Sequence, residues 1–315
     1  MRNKKAQAFV LIAILIASMI IISFSVYFVF NDRKVVNERV KTMDSFLFSL
    51  EEDLVRQMYI VGYRGLFLAE VEVTNTGEYI ENISNFFSSA FFNSVPYDSF
   101  CNESNINISA MCGVRYADLI QSIEDKGDSM NLNLNISHPA ISIYQYDPWN
   151  VAINFQFNLT MDDESGLARW DKRENITSLI SIEGFEDPLY IIETNARVPV
   201  KINKTSYEGI YVVSESVSNL KSHLYSSMYT STPFAPSFLM RLQGMTGADA
   251  EGKGIESLVD VSSLPAVYRK TDRTVVDYLY FNPSPISGSQ IQGMPSWFKI
   301  DSPHLSTYNV TDLII

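Results

Sequence analysis

The chain has 315 residues, of which 46% are apolar and 19% charged, and its formal net charge is −12. This length supplies enough apolar material for one large domain or two ordinary ones, and the composition argues against a disordered polyelectrolyte. The acidic balance argues against a nucleic-acid partner, because such proteins need a basic face to neutralise phosphates. Two cysteines are too few for a disulfide-built mini-domain or a four-cysteine zinc site.

An apolar segment near the N-terminus predicts the location of the protein. Residues 8–30 contain no charge, Gly or Pro, and as a helix they would extend about 34 Å, enough to cross a hydrocarbon layer of about 30 Å. Arg2, Lys4 and Lys5 precede the segment, so the positive-inside rule predicts a cytoplasmic N-terminus and an exterior C-terminal part. The length of the segment, without a small-x-small site after it, favours a retained anchor over a cleaved secretory signal.

The residues just before the apolar segment resemble a known type of signal peptide. Residues 4–7 (KKAQ), followed at once by an apolar helix, resemble the class III signal peptide of archaeal type IV pilins. The resemblance implies a leader-peptidase site at Lys5, Ala6 and Gln7, with the cut between Ala6 and Gln7 on the cytoplasmic side. Residues 1–6 would then be a leader, and the apolar helix would be retained in the membrane or in a filament core.

This resemblance also implies partners: the lipid membrane, a prepilin peptidase and other pilin-like subunits. The chain departs from the pattern at Leu11, the fifth mature position, where pilins usually carry Glu. The plainer alternative is an uncleaved signal anchor. Three later segments are similar to phrases in large pilin-like surface proteins of archaea: 181–190 (SIEGFEDPLY), 236–244 (PSFLMRLQG) and 254–260 (GIESLVD).

A single apolar stripe continues beyond the predicted membrane span. Its members recur at steps of three or four residues, the period of one helix face: Val36, Val40, Met43, Leu47, Leu50, Leu54, Met58 and Val61. We expect one helix over residues 7–61, ended by Gly62 and Gly65. Since the stripe covers only about three heptads, packing against the chain's own sheet is favoured over a coiled coil.

The next part of the sequence predicts an α+β head. Helices are expected over 78–94, 115–126 and 207–228, and alternation of apolar and polar residues predicts strands at 130–137, 151–160 and 198–202. Strict alternation favours an antiparallel sheet covered on one side. The predicted fold is therefore α+β, with a long N-terminal transmembrane and stalk helix packed on an antiparallel β-sheet head.

A smaller mixed region follows a proline-containing break at 230–237. It is expected to hold a helix near 238–243, a glycine-rich loop at 244–254, and strands at 274–281 and 297–301. The predicted segments are a leader (1–6), an anchor (7–30), an exterior extension of the helix (31–61), a head (62–229) and the C-terminal region (230–315).

Eight Asn-x-Ser/Thr sequons lie beyond the predicted membrane span and indicate N-glycosylation of an exterior surface. Asn135, Asn158 and Asn203 fall on the polar phase of their predicted strands, where a glycan would point to solvent. A polar surface rich in Asn and Ser produces sequons without glycans, and this alternative stays open. The sequons begin at Asn82, Asn102, Asn107, Asn135, Asn158, Asn175, Asn203 and Asn309.

The two cysteines, Cys101 and Cys112, are the ends of a 12-residue segment. Outside the cell, an isolated pair at this spacing most simply forms a disulfide, which on the loop-entropy model contributes about 2.5–3 kcal/mol. A redox or metal role would require Cys-x-x-Cys or neighbouring histidines, and the sequence has neither at this place.

Motifs of catalysis or metal binding are not evident. His138, His223 and His304 are scattered without paired ligand spacing, and no G-x-S-x-G motif marks a nucleophile. The carboxylates of 162–164 are expected to form a solvated turn, since no calcium-loop spacing follows them. We therefore expect a non-enzymatic surface protein without a cofactor. The alternatives are a permanently anchored ectodomain that binds an envelope polymer or partner protein, and an anchored extracellular hydrolase.

Overall fold

The computed structural model describes residues 2–92 and 110–315. Its first element is one helix, α1 (Arg2–Thr76), with 75 residues and a length of about 110 Å. An antiparallel three-stranded sheet and a C-terminal region of short elements follow, so the α+β prediction is confirmed. The further helices and strands are α2 (Ile83–Phe92), α3 (Tyr116–Asp128), β1 (Leu132–Asp147), β2 (Asn150–Asp163), β3 (Arg169–Ser181), α4 (Pro188–Glu193), α5 (Ser218–Tyr225), β4 (Tyr229–Thr232), α6 (Phe238–Leu242), β5 (Gly254–Ser257), α7 (Asp277–Tyr280), β6 (Ser289–Gln290) and β7 (Lys299–Ile300).

Helix α1 has two parts with different surroundings. Residues 8–35 are exposed on every side, whereas the stripe that begins at Met43 is buried as far as Val61, with Val36 and Val40 half-buried before it. The stripe packs on the sheet, and the Ser178 hydroxyl of β3 donates a hydrogen bond of 2.9 Å to the Val55 carbonyl. Both the predicted stripe and its packing against the chain's own sheet are confirmed.

The predicted end of the helix is wrong. Gly62 and Gly65 lie inside α1, which continues to Thr76, so the expected boundary between 31–61 and 62–229 falls within one helix. A Cβ atom at Gly62 would lie 2.5 Å from Ile180 Cδ1 of β3, and one at Gly65 would overlap the Phe87 ring of α2. These glycines therefore permit close packing of the helix on its neighbours and do not terminate it.

The sheet has the order β1-β2-β3 with antiparallel pairing throughout. Its inner face is apolar and packs against α1 and α2, and its outer face is polar. Strands β1 and β2 extend the two predicted alternating segments, whereas β3 was not predicted. In β3 the buried positions are Glu174, Ile176, Ser178 and Ile180, so only two apolar residues mark its inner face.

Two predicted helices are confirmed as α2 and α3 with shorter or shifted ends. The expected strand at 198–202 forms only an isolated bridge between Glu186 and Lys201. The expected helix at 207–228 is reduced to the eight residues of α5, because the preceding residues adopt turns that include left-handed conformations at Ser214 and Glu215.

In the C-terminal region, α6 confirms the predicted helix near 238–243. The predicted strand at 274–281 is wrong, since α7 occupies half of it and Val276 makes only an isolated bridge to Leu258. The strand at 297–301 is confirmed in part by β7, which pairs with β6. Buried apolar residues from α1 to Leu313 form one continuous core, so the packing crosses the predicted boundary at residue 230.

Candidate functional site

The exposed part of α1 is the first candidate site. Its large apolar side chains remain between 47% and 80% exposed from Phe9 to Phe30, which is far more apolar surface than a water-soluble monomer presents. Within the described residues α1 is the one helix long and apolar enough to cross a membrane. Lys5, Ala6 and Gln7 lie in the first turns of this helix, just before the apolar segment.

The junction between the exposed helix and the folded head is fixed by Arg39. Its guanidinium pairs with the Asp163 carboxylate at the end of β2 and donates to the carbonyls of Met130 and Asn131 at 2.8 and 2.9 Å. Arg39 lies nine positions after Phe30, which corresponds to about 13 Å of helix. The first side chain that ties α1 to the end of β2 therefore lies about 13 Å beyond the apolar segment.

The structure places the described sequon asparagines at the surface. The exposed asparagines are Asn82, Asn135, Asn158, Asn175, Asn203 and Asn309. Asn102 and Asn107 lie outside the described residues. Exposure makes attachment sterically feasible at the six positions, and glycosylation itself remains a prediction.

The predicted disulfide involves one described cysteine. Cys112 lies in a turn before α3, and its carbonyl accepts a hydrogen bond of 2.9 Å from Arg64 Nη1 of α1. Cys101 lies outside the described residues, so the Cys101–Cys112 bond remains a prediction.

The three histidines lie in different environments. His138 is exposed on the sheet, whereas His223 is buried and its Nδ1 lies 3.0 Å from the Thr205 hydroxyl. Burial lowers the pKa of His223 to about 4, so this ring is neutral at physiological pH. His304 differs from both because it lies against two carboxylates.

The His304 cluster is buried between α7, β5 and the C-terminal turns. His304 Nδ1 lies 2.6 Å from an Asp301 carboxylate oxygen and Nε2 lies 3.2 Å from Glu256. The Tyr308 hydroxyl donates to the other Glu256 oxygen at 2.9 Å. Burial alone would lower the pKa of His304, but its bonds to Asp301 and Glu256 raise that pKa to about 10, so the ring is a cation at neutral pH.

A second buried network surrounds Arg241 of α6, whose side chain is fully buried. Its Nη1 lies 2.6 Å from Asp187 and 2.9 Å from Asp277, and its Nη2 donates to the Ile255 carbonyl. Tyr229 donates to Asp187 at 2.7 Å. Burial raises the pKa of Asp187, whereas the Arg241 guanidinium lowers it. We refer to Arg241, Asp187 and Asp277 as the arginine network.

Arg241 and its partners connect three segments that the sequence analysis singled out. Asp187 belongs to 181–190, Arg241 to 236–244, and Ile255 to 254–260. Sequence reasoning did not find this convergence, although one signal was available. A single charged residue stands inside a short apolar stretch in FLMRL and again in VVDYLYF, and such a charge is buried only if it is paired.

These buried clusters are suited to holding the fold and closed to a substrate. His304 is 2% exposed and Glu256 is 0% exposed, so a reactant would reach the ring only after the region opened. The described residues contain no group of three or more His, Cys, Asp or Glu arranged to hold a metal ion.

A cavity of about 480 Å³ lies between the C-terminal part of α1 and residues 183–186. It is lined by Tyr63 and Phe67, which are exposed, and by Glu70. A Glu70 carboxylate oxygen accepts a 2.6 Å hydrogen bond from the Glu186 backbone N–H. Burial raises the pKa of Glu70 to about 8, so this carboxyl group is largely protonated at neutral pH.

No family model, curated protein or solved structure matches the chain. Its function must therefore be inferred from its own residues and geometry.

Proposed function

We propose that this chain is a single-pass membrane protein of pilin-like build, with its N-terminus in the cytoplasm and residues 31–315 outside the cell. It acts through structure and contact, as a minor pilin, a pseudopilin or another component of an archaeal surface structure. The observation that carries this proposal is α1, in which an uncovered apolar segment continues without a break into the core of the head.

The membrane location follows from the cost of leaving α1 in water. A span of 23 uncharged residues, exposed on all sides, is matched to the thickness of a bilayer. The orientation is supported by Arg2, Lys4 and Lys5 on the N-terminal side, which the positive-inside rule keeps in the cytoplasm. The six exposed sequons lie on the opposite side of the span, as expected for an exterior face.

The two parts of α1, which have different surroundings, support the pilin-like build. The first part is free to lie in lipid or between neighbouring helices, and the second part packs its stripe on an antiparallel sheet. The KKAQ sequence before the apolar segment supports removal of residues 1–6. The hydrogen bonds of Arg39 to the carbonyls of Met130 and Asn131 support a role in which the helix sets the position of the head relative to the membrane.

The burial of the His304 cluster favours a contact role over hydrolysis. A histidine does meet two carboxylates at His304, as a hydrolase would require, but the cluster is covered by protein. The Nε2 atom, which a general base would use, already lies 3.0 Å from the Tyr278 hydroxyl.

The experiment that tests the proposal is N-terminal sequencing with intact-mass analysis of protein purified from membranes of an archaeal host with an active prepilin peptidase. We expect the chain in the membrane fraction, with a mature N-terminus at Gln7. A variant with Lys4→Ser and Lys5→Ser removes the charges before the cut and should leave the N-terminus unprocessed. Arg33→Ser, which removes a basic residue beyond the span, is the matched control and should be processed normally.

Each alternative has a distinct outcome. A start at Met1 in a membrane protein would contradict pilin-type processing and support the permanently anchored ectodomain that binds an envelope polymer or partner protein. Recovery in the soluble fraction with α1 intact would contradict the membrane location altogether. Hydrolase activity that is lost in His304→Gln while the variant remains folded would contradict the contact role.

A further inference from the structure

Three of the predicted glycosylation sites lie together on the outer face of the sheet. Asn135, Asn158 and Asn175 come from β1, β2 and β3 respectively, one from each strand. In the register, Asn135 pairs with Thr160 and Asn158 pairs with Arg173. Each sequon asparagine is therefore two residues from the partner of the next one, so the three form a diagonal row, with neighbours about 7–8 Å apart.

The surroundings of this row leave space for a saccharide. The residues paired across from the three asparagines are polar or charged: Thr160 faces Asn135, and Asn158 lies between Ser137 and Arg173. All three asparagines are exposed. Among the described helices, those that contact the sheet pack on its inner side, where the Phe155 ring meets Phe91 of α2.

The hydrogen bonds of the row are compatible with attachment at the amide nitrogens. Asn175 accepts a bond from Asn154 through its Oδ1 atom, which is retained when Nδ2 carries a sugar. Asn158 Nδ2 lies 3.5 Å from His138 Nδ1, a long contact at an exposed position that a glycan would replace at little cost.

We propose that the outer face of the sheet is a glycan shield, formed by N-linked saccharides on Asn135, Asn158 and Asn175, and is not a protein interface. The inference rests on the proposed exterior location of the head. Three glycans in adjacent strands would exclude another protein from this face, and contacts with subunits would be made from the opposite, helix side.

The attachment chemistry needs one co-reactant, a lipid-phosphate-linked oligosaccharide. The Asn Nδ2 atom forms a bond to the anomeric carbon of the sugar, and the bond between that carbon and the phosphate oxygen breaks. The amide loses one N–H proton, and the lipid phosphate leaves. An archaeal host supplies both the transferase and the lipid-linked sugar donor.

Glycopeptide mass spectrometry of the full chain from such a host tests occupancy. We expect glycan mass on the peptides that contain Asn135, Asn158 and Asn175, and its loss from all three in a triple Asn→Gln variant. Asn133→Gln is the matched control, because Asn133 is exposed on the same strand and face but is not part of a sequon. This control should leave the glycan mass unchanged.

Labelling of intact cells tests the shield. Arg173→Cys places a thiol between Asn158 and Asn175, and we expect slow reaction with a polyethylene-glycol maleimide that becomes fast when the three asparagines are replaced. Glu52→Cys, exposed on α1, should react at one rate in both backgrounds. The parent chain, with its two native cysteines, gives the background.

The outcomes separate this inference from the proposed function. If Glu52→Cys reacts on intact cells but the sheet asparagines carry no glycan, the shield is overturned and the exterior location stands. Equal labelling of Arg173→Cys with and without the three glycans also overturns the shield. If both Glu52→Cys and Arg173→Cys without the three glycans react only after lysis, the proposed exterior location fails, and the shield fails with it.

Discussion

The helix–sheet part of the molecule and its C-terminal part differ in how their backbone N–H and C=O groups are paired. Helix α1 has 75 residues and the strands of the sheet have 13 to 16, so most of their N–H and C=O groups pair within regular structure. From Pro188 onward the α-helices have four to eight residues and the strands two to four.

Short elements leave backbone groups that charged side chains then satisfy. Arg241 donates to the Ile255 carbonyl, and Asp277 accepts from the backbone N–H of Ser257 at 3.0 Å and of Tyr278 at 2.6 Å. Asp187 accepts from Leu189 at the start of α4. In this region, buried charged side chains therefore bond backbone groups that regular secondary structure leaves unpaired. Mutations should for this reason destabilise the two regions by different mechanisms.

The largest effect is expected from Arg241→Met, which would leave Asp187 and Asp277 buried without their countercharge. We expect the free energy of unfolding to fall by about 3–5 kcal/mol. Urea titration of the detergent-solubilised chain at pH 7 measures this change. Arg169→Met is the control, because Arg169 pairs with Asp171 at an exposed position and its loss should have little effect. Equal midpoints for both variants would show that the arginine network does not stabilise the fold.

The next effect is expected from His304→Gln, which removes the cation between Asp301 and Glu256 and should cost about 2–4 kcal/mol at pH 6. The raised pKa of His304, about 10, gives this contribution a pH dependence. It is fully present below the ordinary histidine pKa and is lost as pH rises through about 10. The difference between parent and variant should therefore shrink between pH 6.5 and pH 10, and a constant difference would refute the paired-cation assignment.

In the helix–sheet region, we expect a substitution to destabilise the fold by overpacking and not by loss of a charge. Gly62→Ala would place a methyl group 2.5 Å from Ile180 Cδ1, at a cost of about 1–3 kcal/mol, against a gain in helix propensity of about 1 kcal/mol. We expect a net loss in a urea titration. Gly247→Ala, where the added atom meets nothing within 4 Å, should be neutral. A stabilised Gly62→Ala chain would mean that the packing of the helix on the sheet leaves room for a methyl group at this position.

The last effect has the opposite sign and is expected at Glu70, where substitution should stabilise the chain. The pKa of Glu70 is raised to about 8, so its protonated form fits the fold, and stability is lost as pH rises from the ordinary carboxyl value through about 8. Glu70→Gln should add about 1–2 kcal/mol at pH 9 and little at pH 5. Glu52→Gln, at an exposed site, serves as the control. A destabilised variant at pH 9 would contradict the raised pKa of the half-buried Glu70.

The sequence predicted the elements whose apolar residues repeat regularly. The stripe from Val36 to Val61 and the alternation in 130–137 and 151–160 are local patterns, and each was found where expected. Strand β3 was missed because only Ile176 and Ile180 mark its inner face, with Glu174 and Ser178 at the other inward positions. Gly62 was misread because a glycine that ends a helix and one that allows close packing look alike in sequence.

By itself, the sequence determined the apolar segment at 8–30, the buried stripe of α1 and the polar phase of the sheet, because each depends on spacing along one element. Only the tertiary structure decided where α1 ends, how Asp187, Arg241 and Asp277 meet, and which sequons share one face. The two ion pairs of Arg241 join residues 54 and 36 positions apart in the chain. Pairing of a buried charge depends on which distant segment supplies the opposite charge, and no local period records that choice.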